Sequence, residues 1–142
     1  MQAVVVTPEI APVERALRVL VVDDQEVICE LICEYLHCDG HTTASAYRGD
    51  EAYALFSTDK FDLVITDQSM PGMNGVQLAS VIKEVAAEIP VILLTGFGDE
   101  MLAAGGLPAG IDLVLGKPVS QADLRLAIFQ ALNGRESLAS VA

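Results

Sequence analysis

The sequence has few basic residues. Of its 142 residues, 8 are Lys or Arg and 20 are Asp or Glu, so the formal net charge is −12. A protein that binds nucleic acid needs clustered positive charge to contact the phosphates. The imbalance therefore argues against a nucleic-acid-binding role for this chain.

Long hydrophobic runs are also missing. The apolar runs, such as residues 19–22, are far too short to cross a bilayer, which takes about 20 residues. Residues 1–6 lack the basic segment with which a secretory signal begins. We therefore expect a cytoplasmic protein that does not bind membranes.

Cysteines are few, odd in number and close together, at positions 29, 33 and 38. Such a set argues for reduced thiols and against a disulfide framework. Cys29, Cys33 and His37 are spaced i, i+4, i+8 on a predicted helix, so they would share one stripe, which we expect to be partly exposed. Because no fourth ligand is evident, we interpret the thiols as structural or incidental; a metal or redox site is the alternative.

What the sequence does contain is the pattern of one folded domain. It is 52% hydrophobic, has no low-complexity segment or internal repeat, and is long enough to bury a core. Apolar periodicity predicts strands at about 18–23, 42–46, 61–67, 90–95 and 112–115, and helices at about 25–38, 50–56, 75–87, 99–104 and 120–132. This alternation predicts an α/β fold, a parallel sheet with helices on both faces.

Local signals refine the element ends. Asn74 with Gln77, and Ser120 with Asp123, have the spacing of capping boxes at helix starts. The pair at 133–134, Asn-Gly, predicts the end of the last helix. We expect a folded domain at 17–133 between flexible tails at 1–16 and 134–142.

Polar side chains follow four of the predicted strands. Asp23 and Asp24 follow the first, Asp67 ends the third, Thr95 ends the fourth, and Lys117 follows the fifth. Because the carboxyl ends of parallel strands lie along one edge of the sheet, these side chains should converge on one crevice, where ligands bind in such folds. A role in binding at this crevice explains why a charged residue, Asp67, ends a buried strand.

The chemistry of this set favours a metal-assisted reaction. Three adjacent carboxylates repel one another, and their pKa values rise unless a cation is bound. Magnesium suits such a site, since Mg²⁺ takes oxygen ligands and also accepts phosphate oxygens. A lysine and a hydroxyl nearby suit a phosphoryl group. The set predicts Mg²⁺-assisted phosphoryl transfer onto a carboxylate.

Four motifs carry a resemblance to a known family. They are LVVDD at 20–24, DLVITDQSMPGMNG at 62–75, VILLTG at 91–96 and GKP at 116–118. In this order and spacing the chain resembles the receiver domains of two-component response regulators, over about residues 17–133. The resemblance implies a flavodoxin-like, doubly wound (βα)5 fold with a five-stranded sheet of order 2-1-3-4-5.

The resemblance also implies roles. Asp67 would accept a phosphoryl group from a phosphohistidine on a sensor histidine kinase or a histidine phosphotransfer protein. Lys117 would pair with the phosphate, and the Thr95 hydroxyl would bond it and report phosphorylation. Mg²⁺ would be held by three carboxylates and one backbone carbonyl, those of Asp23, Asp24, Asp67 and Ser69.

The signal would reach a downstream protein target through a surface made by the predicted fourth helix, fifth strand and fifth helix. The family often has Tyr or Phe where this chain has Val114, so an aromatic switch is not expected. Glycines and a proline at 105–110 shorten the fourth helix, which predicts a mobile output face. Phe97 and Ser69 should line the rim of the pocket, and the Lys117–Pro118 peptide bond should be cis.

Other readings remain open. A phosphatase of the haloacid dehalogenase type also uses a strand-end Asp with Mg²⁺, although its second acid would fall where this chain has Ser69. A phosphorylation-silent scaffold is the third reading, and a flavin binder is disfavoured because Asp23 and Asp24 have the wrong charge. Within the receiver reading, we expect no enzyme with turnover. A free-standing response regulator is favoured over the detached receiver end of a hybrid kinase.

Overall fold

A computed structural model describes residues 15–96 and 107–141 as a single five-stranded parallel sheet flanked by helices. The strands are β1 (Arg18–Val22), β2 (Thr42–Ala46), β3 (Leu63–Asp67), β4 (Val91–Thr95) and β5 (Leu113–Gly116). The helices of the described part are α1 (Glu26–Cys38), α2 (Gly49–Thr58), α3 (Gly75–Val85) and α4 (Gln121–Val141). The strand order is β2-β1-β3-β4-β5, so the predicted fold class and order are confirmed. The predicted helix at 99–104, and Phe97, lie outside the described residues.

The central strands are apolar on both faces because each face of the sheet is covered. Successive residues of β1 alternate: Val19 and Val21 pack with α1 and α4, whereas Leu20 and Val22 pack with α2 and α3. β3 and β4 continue the same two layers, and every residue of both strands is buried. This is the continuous hydrophobic pattern expected of a parallel sheet covered on both sides.

The register of the sheet aligns the strand ends. Val22 pairs with Thr66, so β1 and β3 end within one residue of each other. Along the sheet, Asp67 pairs with Leu94 and Thr95 with Gly116. The residues that follow β1, end β3 and β4, and follow β5 are therefore neighbours on one edge, as predicted.

α1 presents a different stripe to the sheet from the one that its apolar periodicity predicts, which consists of Val27, Ile28, Leu31, Ile32, Tyr35 and Leu36. Cys29 is fully buried and Cys33 is 8% exposed, whereas Val27 is 74% exposed and Leu31 39%. The expectation that the thiols are partly exposed was therefore wrong. A thiol packs as a small hydrophobe, so the stripe of Cys29, Ile32, Cys33 and Leu36 covers the sheet. Both buried cysteines, and the exposed Cys38, are free thiols.

The predicted helix starts hold, but one predicted helix end does not. At α3 the Asn74 side chain accepts the N–H of Gln77, and the Gln77 side chain accepts the N–H of Asn74, so the capping box is confirmed. Ser120 Oγ likewise accepts the N–H of Asp123. The last helix, however, runs through the Asn-Gly pair at 133–134 to Val141. A glycine costs a helix about 1 kcal/mol, which the good helix formers that follow it offset.

His41, which directly precedes β2, lies in the core. Its imidazole is 4% exposed, and its Nδ1 accepts the N–H of Leu17 at 3.0 Å. Burial lowers the pKa of His41, against a smaller opposing effect of the Asp39 charge, so the ring packs as a neutral acceptor. Among the described helices, none is both long and apolar enough to cross a membrane.

Candidate functional site

The predicted site residues of the sheet edge come together. Asp23, Asp67 and Thr95 are all at most 5% exposed, although each carries a polar side chain. Asp24 is exposed beside them. One carboxylate oxygen from each of Asp23, Asp24 and Asp67 lies within 4.8 Å of the others, and among the side chains described in residues 15–96 and 107–133 no other group of three acidic, His or Cys residues is so close.

Lys117 places its ammonium between two of these acids. Its Nζ lies 2.8 Å from Asp67 Oδ1 and 3.1 Å from Asp23 Oδ2. The backbone helps to place it, because its N–H donates to the carbonyl of Thr95 at 3.0 Å. The Lys117–Pro118 peptide bond is cis, which confirms the prediction from the GKP motif.

Asp23 is anchored through one oxygen only. Its Oδ1 accepts the N–H of Gln25 at 2.9 Å. Its Oδ2 is fully buried and has no hydrogen-bond partner among the described residues, although the Lys117 ammonium lies 3.1 Å away as an ion-pair partner. With one ion pair and no hydrogen bond, this oxygen still has a lone pair available to a further ligand.

The site carries more negative charge than its lysine balances. Burial raises the pKa of the Asp67 carboxyl, and the neighbouring charges of Asp23 and Asp24 raise it further, although Lys117 lowers it. Burial also opposes the charge of Lys117, but its contacts with Asp67 and Asp23 outweigh burial and raise its pKa. The ammonium therefore stays protonated, and three carboxylates face one cation.

The backbone at Asp67 is held in place from two sides. Thr66 Oγ1 donates to the Asp67 carbonyl at 3.0 Å. Gly75 packs so closely on the other side that a Cβ there would lie 2.6 Å from Leu93 Cδ1 and closer still to the Asp67 carbonyl oxygen. A side chain at this position would have to displace one of these neighbours, so the contact favours glycine.

The loop between β3 and α3 is half buried and half exposed. Met70 is 7% exposed and belongs to the same buried cluster as Leu78 of α3, and Met73 packs against this cluster. Ser69, two residues after Asp67, is exposed. Val114 packs as a partly buried core side chain of β5 and offers no ring that could swing.

Gln68 is a residue that the sequence did not single out. Its side-chain Oε1 accepts the N–H of Val76 at 3.0 Å, and its carbonyl accepts the N–H of Gly75 at 3.1 Å. The only signal was its position, an amide side chain directly after the strand-end Asp67. Its partner lies eight residues away, a separation at which no local capping pattern applies.

Comparison with known proteins decides the family. Residues 19–129 match the sequence model described as the response regulator receiver domain. The chain belongs to this family. Receiver domains are the phosphoacceptor modules of two-component signalling and interact with histidine kinases and downstream effectors, so the phosphatase and silent-scaffold readings are not favoured.

Individual relatives agree with this assignment. The chain is 36% identical over 123 residues to the transcriptional regulatory protein ResD of Bacillus subtilis (strain 168), covering 87% of this chain and 50% of that protein. It thus spans about half the length of the curated relatives it matches.

Solved structures agree as well. A receiver domain protein from Clostridium thermocellum has a TM-score of 0.75 and 34% identity, covering 85% of this chain and 98% of that one. The response regulator TrrA of Thermotoga maritima, solved in complex with Mg(2+)-BeF, has a TM-score of 0.73 and 32% identity, covering 81% and 98%.

Proposed function

We propose that Asp67 is the phosphoacceptor of this receiver domain. It is the strand-end carboxylate whose oxygen is held at 2.8 Å by the Lys117 ammonium, and this contact is the observation that carries the proposal. The donor is a phosphohistidine on a sensor histidine kinase or a histidine phosphotransfer protein in the cytoplasm. Transfer makes the chain a phosphoprotein that catalyses no reaction other than its own phosphorylation and slow dephosphorylation.

The chemistry follows from the placement of these groups. An Asp67 carboxylate oxygen attacks phosphorus and forms an acyl phosphate, while the phosphorus–nitrogen bond of the phosphohistidine breaks and the leaving imidazole takes up a proton. Lys117 stays protonated and pairs with a phosphoryl oxygen. Its positive charge stabilises the negative charge on the phosphoryl oxygens during the transfer.

The same residues fit Mg²⁺. Asp23, Asp24 and Asp67 supply hard oxygen ligands, with the backbone carbonyl of Ser69 as a fourth, and the buried Asp23 Oδ2 is one oxygen without a hydrogen-bond partner. When bound, Mg²⁺ would neutralise the excess carboxylate charge and bind a phosphoryl oxygen. The complex of TrrA with Mg(2+)-BeF supports this assignment by analogy.

Phosphorylation would be reported through Thr95. Its hydroxyl ends β4, one strand away from Asp67, and would hydrogen-bond the phosphoryl group. The change would reach a surface that includes β5 and the first half of α4, where a downstream protein binds; the predicted fourth helix, which would complete this surface, lies outside the described residues. Because Val114 replaces an aromatic residue, the movement of Thr95 and its neighbouring backbone carries the signal. The proposed functional unit is residues 17–133, and α4 continues beyond it to Val141.

Intact-mass analysis tests the proposal. The chain is incubated with an acyl phosphate and Mg²⁺, and Asp67→Asn is compared with Asp59→Asn, the same substitution at an exposed acid outside the site. We expect one added phosphoryl group in the native chain and in Asp59→Asn, and none in Asp67→Asn or without Mg²⁺. An adduct that persists in Asp67→Asn would move the acceptor elsewhere, and continuous donor consumption would indicate a phosphatase.

A further inference from the structure

Gln68 connects three elements at the edge of the site. Its N–H donates to the Leu94 carbonyl of β4 at 2.9 Å, and its carbonyl and side-chain Oε1 accept the N–H groups of Gly75 and Val76. One residue thus ties the end of β3 to β4 and to the first turn of α3. It stands directly between Asp67 and Ser69, two of the residues assigned to the metal.

The three hydrogen bonds of Gln68, here called the Gln68 clamp, complete the start of α3. The first N–H groups of a helix have no partner within it. Asn74 satisfies that of Gln77, and Gln68 satisfies those of Gly75 and Val76. The loop of residues 68–75 is therefore closed at its base by hydrogen bonds from Gln68 itself.

This closure restricts Ser69. On one side Ser69 follows Gln68, which is fixed by three hydrogen bonds, and on the other it precedes Met70, which is buried. The exposed Ser69 thus lies between two residues of fixed position, and the direction in which its carbonyl points depends on both. Loss of the Gln68 side-chain bond would leave Gln68 with its two backbone bonds only, and the N–H of Val76 without its acceptor, so this anchor would be weakened.

We propose that Gln68 is a positioning residue, which holds the Ser69 carbonyl in the orientation that Mg²⁺ binding requires. The inference rests on the proposed function, since it assigns a role toward the same metal. An amide suits the task because it accepts the Val76 N–H without adding a fourth negative charge beside three carboxylates. A glutamate could make the same hydrogen bond only with that added charge.

A pair of identical substitutions separates positioning from helix stability. Gln68→Met and Gln77→Met each remove one side-chain acceptor for one backbone N–H at the start of α3. MgCl2 alone is titrated into each protein and into the native chain, and the shifts of backbone amides are followed by heteronuclear NMR. We expect Gln68→Met to weaken Mg²⁺ binding by about tenfold, as loss of an outer-shell partner does, and Gln77→Met to leave it unchanged.

Hydrogen exchange without metal gives a second readout. The amide of Val76 should exchange faster in Gln68→Met than in Gln77→Met, because only the first variant removes its acceptor. Gln68→Asn has a shorter side chain that does not reach Val76, so it should behave like Gln68→Met. It replaces Gln68→Met in both experiments if Gln68→Met does not fold.

The outcomes distinguish this inference from the function on which it rests. Equal Mg²⁺ affinity in the native chain and the Gln68 variants, or unchanged protection of Val76, would overturn the positioning role alone. Equal weakening in Gln77→Met would also overturn it, because helix stability would then explain the effect. Absence of Mg²⁺ binding by the native chain would overturn the proposed metal site, and the positioning role with it.

Discussion

Gly75→Ala sets two physical effects against each other at the functional site. Gly75 is the first residue of α3, where alanine is the better helix former. An added methyl group, however, would meet the Asp67 carbonyl and lie 2.6 Å from Leu93 Cδ1. The sign of the change in stability therefore shows which effect is larger.

The structure favours the steric effect. The Asp67 carbonyl cannot yield easily, since Asp67 is paired with Leu94 in the sheet and accepts a hydrogen bond from Thr66. Overpacking of this kind costs about 3 kcal/mol, the upper end of the usual range. The gain in helix propensity is about 1 kcal/mol. The net expectation is a loss of about 2 kcal/mol in the free energy of unfolding, and a Tm lower by about 6 °C.

Urea denaturation measures this loss, and Gly116→Ala is its matched control. A Cβ at Gly116 would have its nearest neighbour, the Thr95 carbonyl oxygen, at an ordinary 3.9 Å. We expect little change there. Since Gly75→Ala must displace Asp67, its phosphorylation by an acyl phosphate should also slow. If Gly75→Ala proves as stable as the native chain, or more stable, the steric reasoning is refuted and helix propensity dominates.

Two further predictions concern stability away from the site. Burial lowers the pKa of His41 from its usual 6.5, so the imidazole binds a proton more readily in the unfolded chain than in the folded one. The free energy of unfolding therefore falls as pH drops below about 6.5, by up to about 1.4 kcal/mol per pH unit. His41→Asn, which keeps an acceptor, should lose this part of the pH dependence in denaturation series, and an identical slope would contradict it. Arg125→Met should lower the free energy of unfolding by about 2 kcal/mol, because it leaves the nearly buried Asp39 carboxylate without two hydrogen bonds of 2.8 Å. Arg48→Met, which removes an exposed ion pair, should lower it by almost nothing. Equal losses in the two variants would contradict the argument from burial.

The sequence by itself determined the alternation of elements and the set of residues at the sheet edge. Strand periodicity and parallel topology bring Asp23, Asp67, Thr95 and Lys117 to one edge whatever the details of packing, because the carboxyl ends of parallel strands coincide. The capping box at Asn74 was also predictable, since its partners are three residues apart. Such signals are local, or follow from topology alone.

Other features were decided only by the tertiary structure. Periodicity cannot tell which of two adjacent stripes of α1 faces the sheet, because a thiol and an aliphatic side chain are both apolar, and the sheet selected Cys29 over Val27. The hydrogen bond between Gln68 and Val76 and the close contact of Gly75 with Asp67 depend on where the start of α3 packs against the end of β3. These contacts join residues separated by a whole loop, and their distances are set by packing, which no local pattern records.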